Sequence, residues 1–313
     1  MIETIVNRLV LSIPVLFGVL VLGFVLVQVA PGDPARVLAG PSAPPEVIEQ
    51  IRQRMGLDDP FFTQFFNYLG RVLQGDLGRS LISNKTVLSE LIAAIGPTME
   101  LMFACLVWSI PLGIAMGTLA AVWRGSLVDR GVMAFSVAGV SLPIFFICLI
   151  LIQYVGVQWR LLPFIGRGGP LWTVEGLRHI ALPALSLGLI FIGPVARMTR
   201  SSVLEVLKLD HVRTARAKGL GEFRVVMRHG LRNALIPVVT LVGLQAGYLL
   251  GGAVVTETIF SYPGIGRLAV GAILSSDFPL AQGTILILAL AFILINMLVD
   301  VLYALLDPRT QKR

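Results

Sequence analysis

Long apolar runs alternate with short polar ones along this chain, and the lengths of the runs set the first expectation. Leu9–Ala30 is apolar almost throughout. As a helix it reaches about 33 Å, enough for a bilayer core of about 30 Å. Five further runs read as spans in the same way: Thr98–Val122, Val132–Val157, Ile180–Ala196, Leu235–Val255 and Gly283–Leu306. The pattern predicts an all-α polytopic membrane protein with six transmembrane helices. A cleaved signal peptide is the rival reading of the first run, because Arg8 precedes it. The run exceeds the usual apolar segment of about 7–15 residues, and Pro31 stands where cleavage would fall, so an uncleaved helix is expected.

The polar stretches divide the chain further. Pro31 to Gly96 opens with turn signals, PGDPA and PSAPPE, and goes on to EVIEQIRQRMGL, a short amphipathic helix with proline in its first turn. FFTQFFNYLGRVLQGDLG then carries aromatic residues at helical spacing. Acidic and basic residues nearly balance here, so a small water-exposed helical subdomain is expected. The domain expectation is therefore 1–96, a helix plus this subdomain, and 97–313, five helices with a polar hairpin at about 203–233. The links Trp159–His179 and Thr256–Ala281 read as re-entrant or surface-lying segments, with Trp159, Trp172 and Tyr262 as interface anchors.

The hairpin dominates the second half. Arg197, Arg200, Lys208, Arg213, Arg216, Lys218, Arg224, Arg228 and Arg232 lie in it or just before it, opposed by Glu205, Asp210 and Glu222. Val203, Leu204, Leu207 and Val212 recur at helical spacing. Gly219-Leu220-Gly221 interrupts, and Phe223, Val226, Met227 and Leu231 resume. Helix, break, helix with an apolar stripe left over suggests a surface that plugs into another protein. A solvated loop whose arginines only set topology is the plainer reading.

Composition sharpens the class. The chain is 56% hydrophobic and 14% charged, with a mean hydropathy of +0.84, far from the roughly one-quarter charged content of soluble domains. A net charge of +7 could suggest nucleic acid. The placement of the charges argues against it, because they mark one side of the membrane. With the N-terminus inside, the inner segments hold Arg8, Arg124, Arg130, the hairpin cations, Arg309, Lys312 and Arg313. Apart from the first loop, the outer segments hold only Arg160, Arg167, Arg178 and Arg267. By the positive-inside rule both termini and the hairpin face the cytoplasm. Cys105 and Cys148 fall within apolar runs and read as packing residues.

Within the spans, Gly243, Gly247 and Gly251 share one helical face, with Gln245 nearby, and suit close helix packing or a path lining. Prolines 111, 143, 183, 194 and 237 could permit bending or be structural. Glu100 and Asp300 are the best-placed intramembrane carboxylates. Each stands a turn or two from a span end, which suits an interface role better than a proton relay. Enzymatic motifs are missing. There is no GxxxxGK[ST] phosphate loop, no HExxH around His179, His211 or His229, and no GxSxG elbow. The chain is expected to hold no cofactor and no catalytic or metal site.

The hairpin resembles the EAA loop of ABC importer permeases. Arg213-Thr214-Ala215 stands in the EAA place, Gly219 is the loop glycine, and His229-Gly230-Leu231-Arg232 takes the I-x-L-P place. The missing glutamate and proline depart from the general pattern. RTARAKGL followed by RHGLRNALIPVVT is similar instead to the peptide/nickel branch, as are PGDPA, QGDLGRS, ETIFSYPGIGRL and the ending VDVLYALLDPR. The wording is nearest to glutathione- and dipeptide-type permeases. The resemblance implies a type I importer fold in a bacterial inner membrane. It further implies a second permease, similar or identical, two ATPase subunits that carry ATP and Mg, and a periplasmic binding protein. It places ATPase coupling on Asp210, Arg213, Ala215, Arg216, Lys218, Gly219, Leu220, Arg224 and Arg228, with Ala215 and Gly219 small because a partner packs there. Gly32, Asp33, Pro34 and Asp76 would meet the binding protein. A gradient-driven carrier is the alternative of another class. It would want an inverted repeat and midplane ionisable groups, neither of which is evident. A structural or scaffold membrane protein is a third reading; it accounts for the hydrophobicity but not for the hairpin or the many Gly and Pro residues.

Overall fold

The structure is a computed structural model that describes residues 2–29, 33–40 and 42–306, without the side chains of 2–9, 27, 300 and 302–306. Every regular element among them is helical. In chain order these are α1 (Ile2–Val29), α2 (Pro34–Ala39), α3 (Pro45–Arg54), α4 (Phe61–Leu73), α5 (Val87–Val122), α6 (Leu127–Ser141) and α7 (Ile144–Leu151). There follow α8 (Val174–Val206), α9 (Asp210–Ala217), α10 (Glu222–Arg224), α11 (Arg232–Ile259), α12 (Ile265–Leu274) and α13 (Phe278–Leu306). Two π-helical turns, Ile152–Gln158 and Val225–Leu231, extend α7 and join α10 to α11. Among the described residues four helices are long and apolar enough to cross a membrane: Val87–Val122, Val174–Val206, Glu222–Ile259 and Phe278–Val299. The pair Leu127–Ser141 and Ile144–Gln158 makes a fifth if counted as one. α1 carries a shorter apolar stretch, Val10–Leu26.

That pair corrects the expected straight span Val132–Val157, for it bends by 104°. Pro143 lacks an N–H and its ring disfavours helical geometry in the residue before it. Leu142 accordingly turns extended, with φ −85° and ψ 129°, and α7 starts afresh after Pro143. Pro14, Pro183, Pro194 and Pro237 stay inside helices. α8 exceeds its expected span at both ends and runs about 50 Å at 1.5 Å per residue.

The chain forms two compact units. One comprises Glu100–Phe260 with the chain from Ile295; the other comprises Ile2–Met99 and Ser261–Leu294. In the first, α8 is the central element, packed by α6, α7 and α11. Glycines let the backbones close in. A Cβ on Gly193 would lie 2.6 Å from the Ser136 carbonyl, and one on Gly113 2.8 Å from the Val195 side chain. Two bidentate ion pairs pin this unit. Glu100 accepts from Arg167 at 3.0 and 2.7 Å, and Asp129 accepts from Arg200 at 2.5 and 2.8 Å.

In the second unit Val87, Leu91, Ala272, Leu280 and Ala281 form one buried cluster. The Asp277 carboxylate is buried beside it. It accepts from the Ser80 hydroxyl at 2.5 Å and from the Leu81 N–H at 3.1 Å, tying the loop before α5 to the start of α13. Leu20 and Phe24 of α1 meet Phe65 and Tyr68 of α4 in another cluster, so α4 packs on α1. Tyr262, expected as an interface anchor, is 1% exposed. Trp159 and Trp172 are exposed.

Candidate functional site: the basic hairpin

The hairpin grows from the ends of α8 and α11. Its base is a buried cluster of Ala121, Val203, Leu231 and Ala234, with Ile114, Leu204 and Leu207 packed around it. One expected detail changes. Val203 and Leu204 end α8, the chain turns at Leu207–Leu209, and α9 begins only at Asp210. Leu209 is extended, with ψ 149°, and the carboxylate of Asp210 suits the first helical turn that follows. α9 then folds back onto the π-helical turn after α10, closing a small core of Val212, Ala215 and Val225 with Val206, Leu207 and Leu220. A Cβ on Gly230 would stand 3.1 Å from Leu207 Cδ2, so the glycine lets that core close.

The break is where the glycine doublet predicts. Gly219 has φ +79°, a left-handed conformation that glycine adopts without strain. Its N–H donates to the Arg216 carbonyl at 2.9 Å. Arg216 donates across the turn to Glu222 at 3.1 and 2.6 Å, and that hydrogen-bonded carboxylate pushes the Arg216 pKa up. A Cβ on Gly219 would meet nothing of this chain within 4 Å.

The structure sorts the expected coupling residues by direction. Ala215 is buried and Leu220 half-buried, both against the hairpin's own core, so internal packing accounts for the small side chain of Ala215. Asp210, Arg213, Arg216, Lys218, Gly219, Arg224 and Arg228 are exposed. Arg213 lies 3.7 Å from Asp210. Among the described residues no carboxylate lies within ion-pair distance of Lys218, Arg224 or Arg228. The leftover apolar stripe also splits, because Val226 and Leu231 are buried while Phe223 is 81% and Met227 44% exposed. Phe223 and Met227 are the members of that stripe left on the surface, and half-exposed Leu209 joins them without having been singled out. Their apolar character beside exposed cations was the available signal. At the hairpin's root, Asp129 is 5% exposed, and its pairing with Arg200 across 71 residues of sequence went unforeseen.

The other expected sites fare differently. Asp33 caps α2, accepting from the Ala35 N–H at 3.0 Å, and also accepts from Arg52 of α3 at 3.1 Å. Pro34 is the first residue of α2. Asp76 accepts from the Gly78 N–H at 2.9 Å in an exposed turn. Gly32 and the side chain of Asp300 lie outside the described residues. On α11, a Cβ on Gly243 would overlap Val299, whereas one on Gly251 would meet nothing within 4 Å. Gly252 is also tight, with a Cβ there 2.7 Å from Leu187. Gly247 is buried and Gln245 half-buried. Glu257, fully buried on the same helix, was not singled out.

An anchored hairpin with an open tip is an arrangement suited to transmitting motion. Over 308 residues, 98% of either chain, this protein is 46% identical to the glutathione transport system permease protein GsiC of Escherichia coli strain K12. It is 45% identical over the same length to its namesake from Shigella boydii serotype 4 (strain Sb227). A solved amino acid ABC transporter with histidines aligns to 69% of this chain and 94% of its own, with a TM-score of 0.51 at 14% identity, a likeness of fold. Residues 1–101 match the N-terminal family of binding-protein-dependent transport system membrane components. Residues 109–312 match the family described as binding-protein-dependent transport system inner membrane component, and the chain belongs to that family.

Proposed function

We propose that this chain is one membrane half of an ATP-driven importer for a peptide-type substrate: a dipeptide, an oligopeptide or glutathione. It crosses a bacterial inner membrane six times with both termini cytoplasmic. A second permease, similar or identical, completes the path. Two ATPase subunits bearing ATP and Mg drive it, and a periplasmic binding protein delivers substrate. The observation that carries this reading is the hairpin's surface. Its own core is closed, yet Phe223 and Met227 stand exposed beside Lys218, Arg224 and Arg228. An exposed aromatic side chain on a basic hairpin suits a groove with an acidic rim on an ATPase. The hairpin's root in α5, α8 and α11 would turn rigid-body motion of that partner into movement of the spans. The 46% identity to a glutathione permease across 98% of both chains supports the substrate class. Nickel-chelate import by the same machinery is the runner-up.

The Pro31–Gly96 segment is assigned the contact with the binding protein, Gly32, Asp33, Pro34 and Asp76 being its candidate residues. Deleting Pro41–Leu57 should abolish stimulation of ATPase activity by the binding protein in an inserted complex; unchanged stimulation would sink that assignment. For the whole reading, the tagged chain is extracted in mild detergent and its companions identified by mass spectrometry. A phosphate-loop ATPase that is lost with Gly219→Asp is the expected result. A lone chain or homodimer, where a known importer stays assembled, would favour a gradient-driven carrier.

A further inference from the structure

α4 shows three stripes at helical spacing. Phe65 and Tyr68 are buried against Leu20 and Phe24 of α1. Phe62, Phe66 and Leu73 form a second apolar stripe, exposed by 71, 64 and 77%. Gln64, Asn67 and Arg71 form a third, which lines a cavity of about 640 Å³. Three large apolar side chains on one helix face are anomalous in water. Their setting removes the anomaly. Phe24 stacks on Tyr68 and meets Phe61 and Phe65 edge-on, and Phe17 also touches Phe65. Phe24 and Phe17 lie about 8 and 18 Å along α1 from its last residue, Val29. α4 thus flanks the outer half of an apolar helix whose own Leu22 and Leu26 are exposed. In a membrane protein, exposed apolar faces such as these two meet acyl chains.

The cavity sits where headgroups would be. It reaches Gln28, one residue from the end of α1, and Gln282 near the start of α13. Arg54 and Arg71 line it with one carboxylate, Asp59. Among the described residues neither arginine has an ion-pair partner. The cavity therefore carries one unbalanced positive charge and two planar guanidinium forks, which match phosphate oxygens in geometry. Asn67 supplies a further amide donor, and Gln28 Nε2, which donates one hydrogen to Gln64 Oε1 at 2.7 Å, keeps a second. We infer that α4 is an interfacial helix lying in the leaflet at the C-terminal end of α1, and that the adjoining cavity binds the phosphate headgroup of an anionic phospholipid.

The test uses the full chain in the assembly that extracts from its membrane, with native mass spectrometry of lipid retained from an equal mixture of phosphatidylglycerol and phosphatidylcholine. The wild type should retain phosphatidylglycerol preferentially. The variant R54Q/R71Q should lose up to roughly 30-fold of that preference, about fivefold for each arginine near a headgroup layer. No headgroup preference in the wild type, or the same preference in the variant, overturns the assignment. Displacement by excess inorganic phosphate also overturns it, since the site would then hold a soluble anion. A second readout does not depend on the arginines. Tryptophan emission from Phe62→Trp should be quenched by phospholipids with brominated acyl chains beyond the wild-type background; the absence of added quenching places the stripe against protein or water and refutes the membrane placement.

Discussion

Gly219 offers a perturbation in which backbone strain and partner contact predict opposite orders. At φ +79°, an alanine pays the left-handed penalty of about 1–2 kcal/mol, while asparagine and aspartate adopt that region more readily. No atom of this chain lies within 4 Å of an added Cβ, so internal clash contributes nothing. The turn is also braced by the Arg216–Glu222 pair and by the buried Val212, Ala215 and Val225, which can absorb a strain of that size. If only the backbone mattered, alanine would be the most harmful substitution. If an ATPase packs against the tip, side-chain bulk and charge decide. Uptake driven by ATP and the binding protein in proteoliposomes should then rank wild type, Ala, Asn, Asp in falling order. Alanine should stay within a fewfold of wild type. Aspartate should fall at least about 30-fold, the effect of roughly 2 kcal/mol at an interface hot spot. Limited proteolysis of the hairpin should find all four chains alike. Wild-type uptake with Asp, or Ala as the worst of the three, would refute partner contact at this position.

Other positions make independent demands. Phe223→Ser should leave thermal stability unchanged, since the ring is 81% exposed, yet lower ATPase retention about tenfold or more; retained ATPase would remove Phe223 from the interface. Asp129→Ala strands the Arg200 guanidinium, which is about a quarter exposed, and a loss of about 1–3 kcal/mol in unfolding free energy is expected, with the double variant Asp129→Ala/Arg200→Met recovering part of it. On α11, Gly243→Leu should destabilise by about 1–3 kcal/mol through overlap with Val299. Gly251→Ala, facing open space, should change stability by less than about 0.5 kcal/mol; equal effects at the two glycines would contradict the packing.

The helices themselves were legible in the amino-acid order, because helix formation answers to local content. Apolar runs, proline in a first turn and the glycine doublet at 219 and 221 act within a few residues of themselves. The basic hairpin and its break were readable for the same reason, and so was the family, whose motifs are contiguous strings. Direction was not readable. Periodicity places Val226 and Met227 side by side on an apolar stripe, but burial depends on where α9 folds back, so one closes the core and the other faces out. Ala215 is small because Val212 and Val225 surround it, a fact about three segments at once. Pro143 breaks its span whereas Pro183 and Pro194 stay inside α8, which α6, α7 and α11 pack from several sides. Asp129 and Arg200 lie 71 positions apart, and no local pattern links them. Charges, small residues and prolines acquire their meaning from what packs opposite, and that partner is chosen by the whole fold.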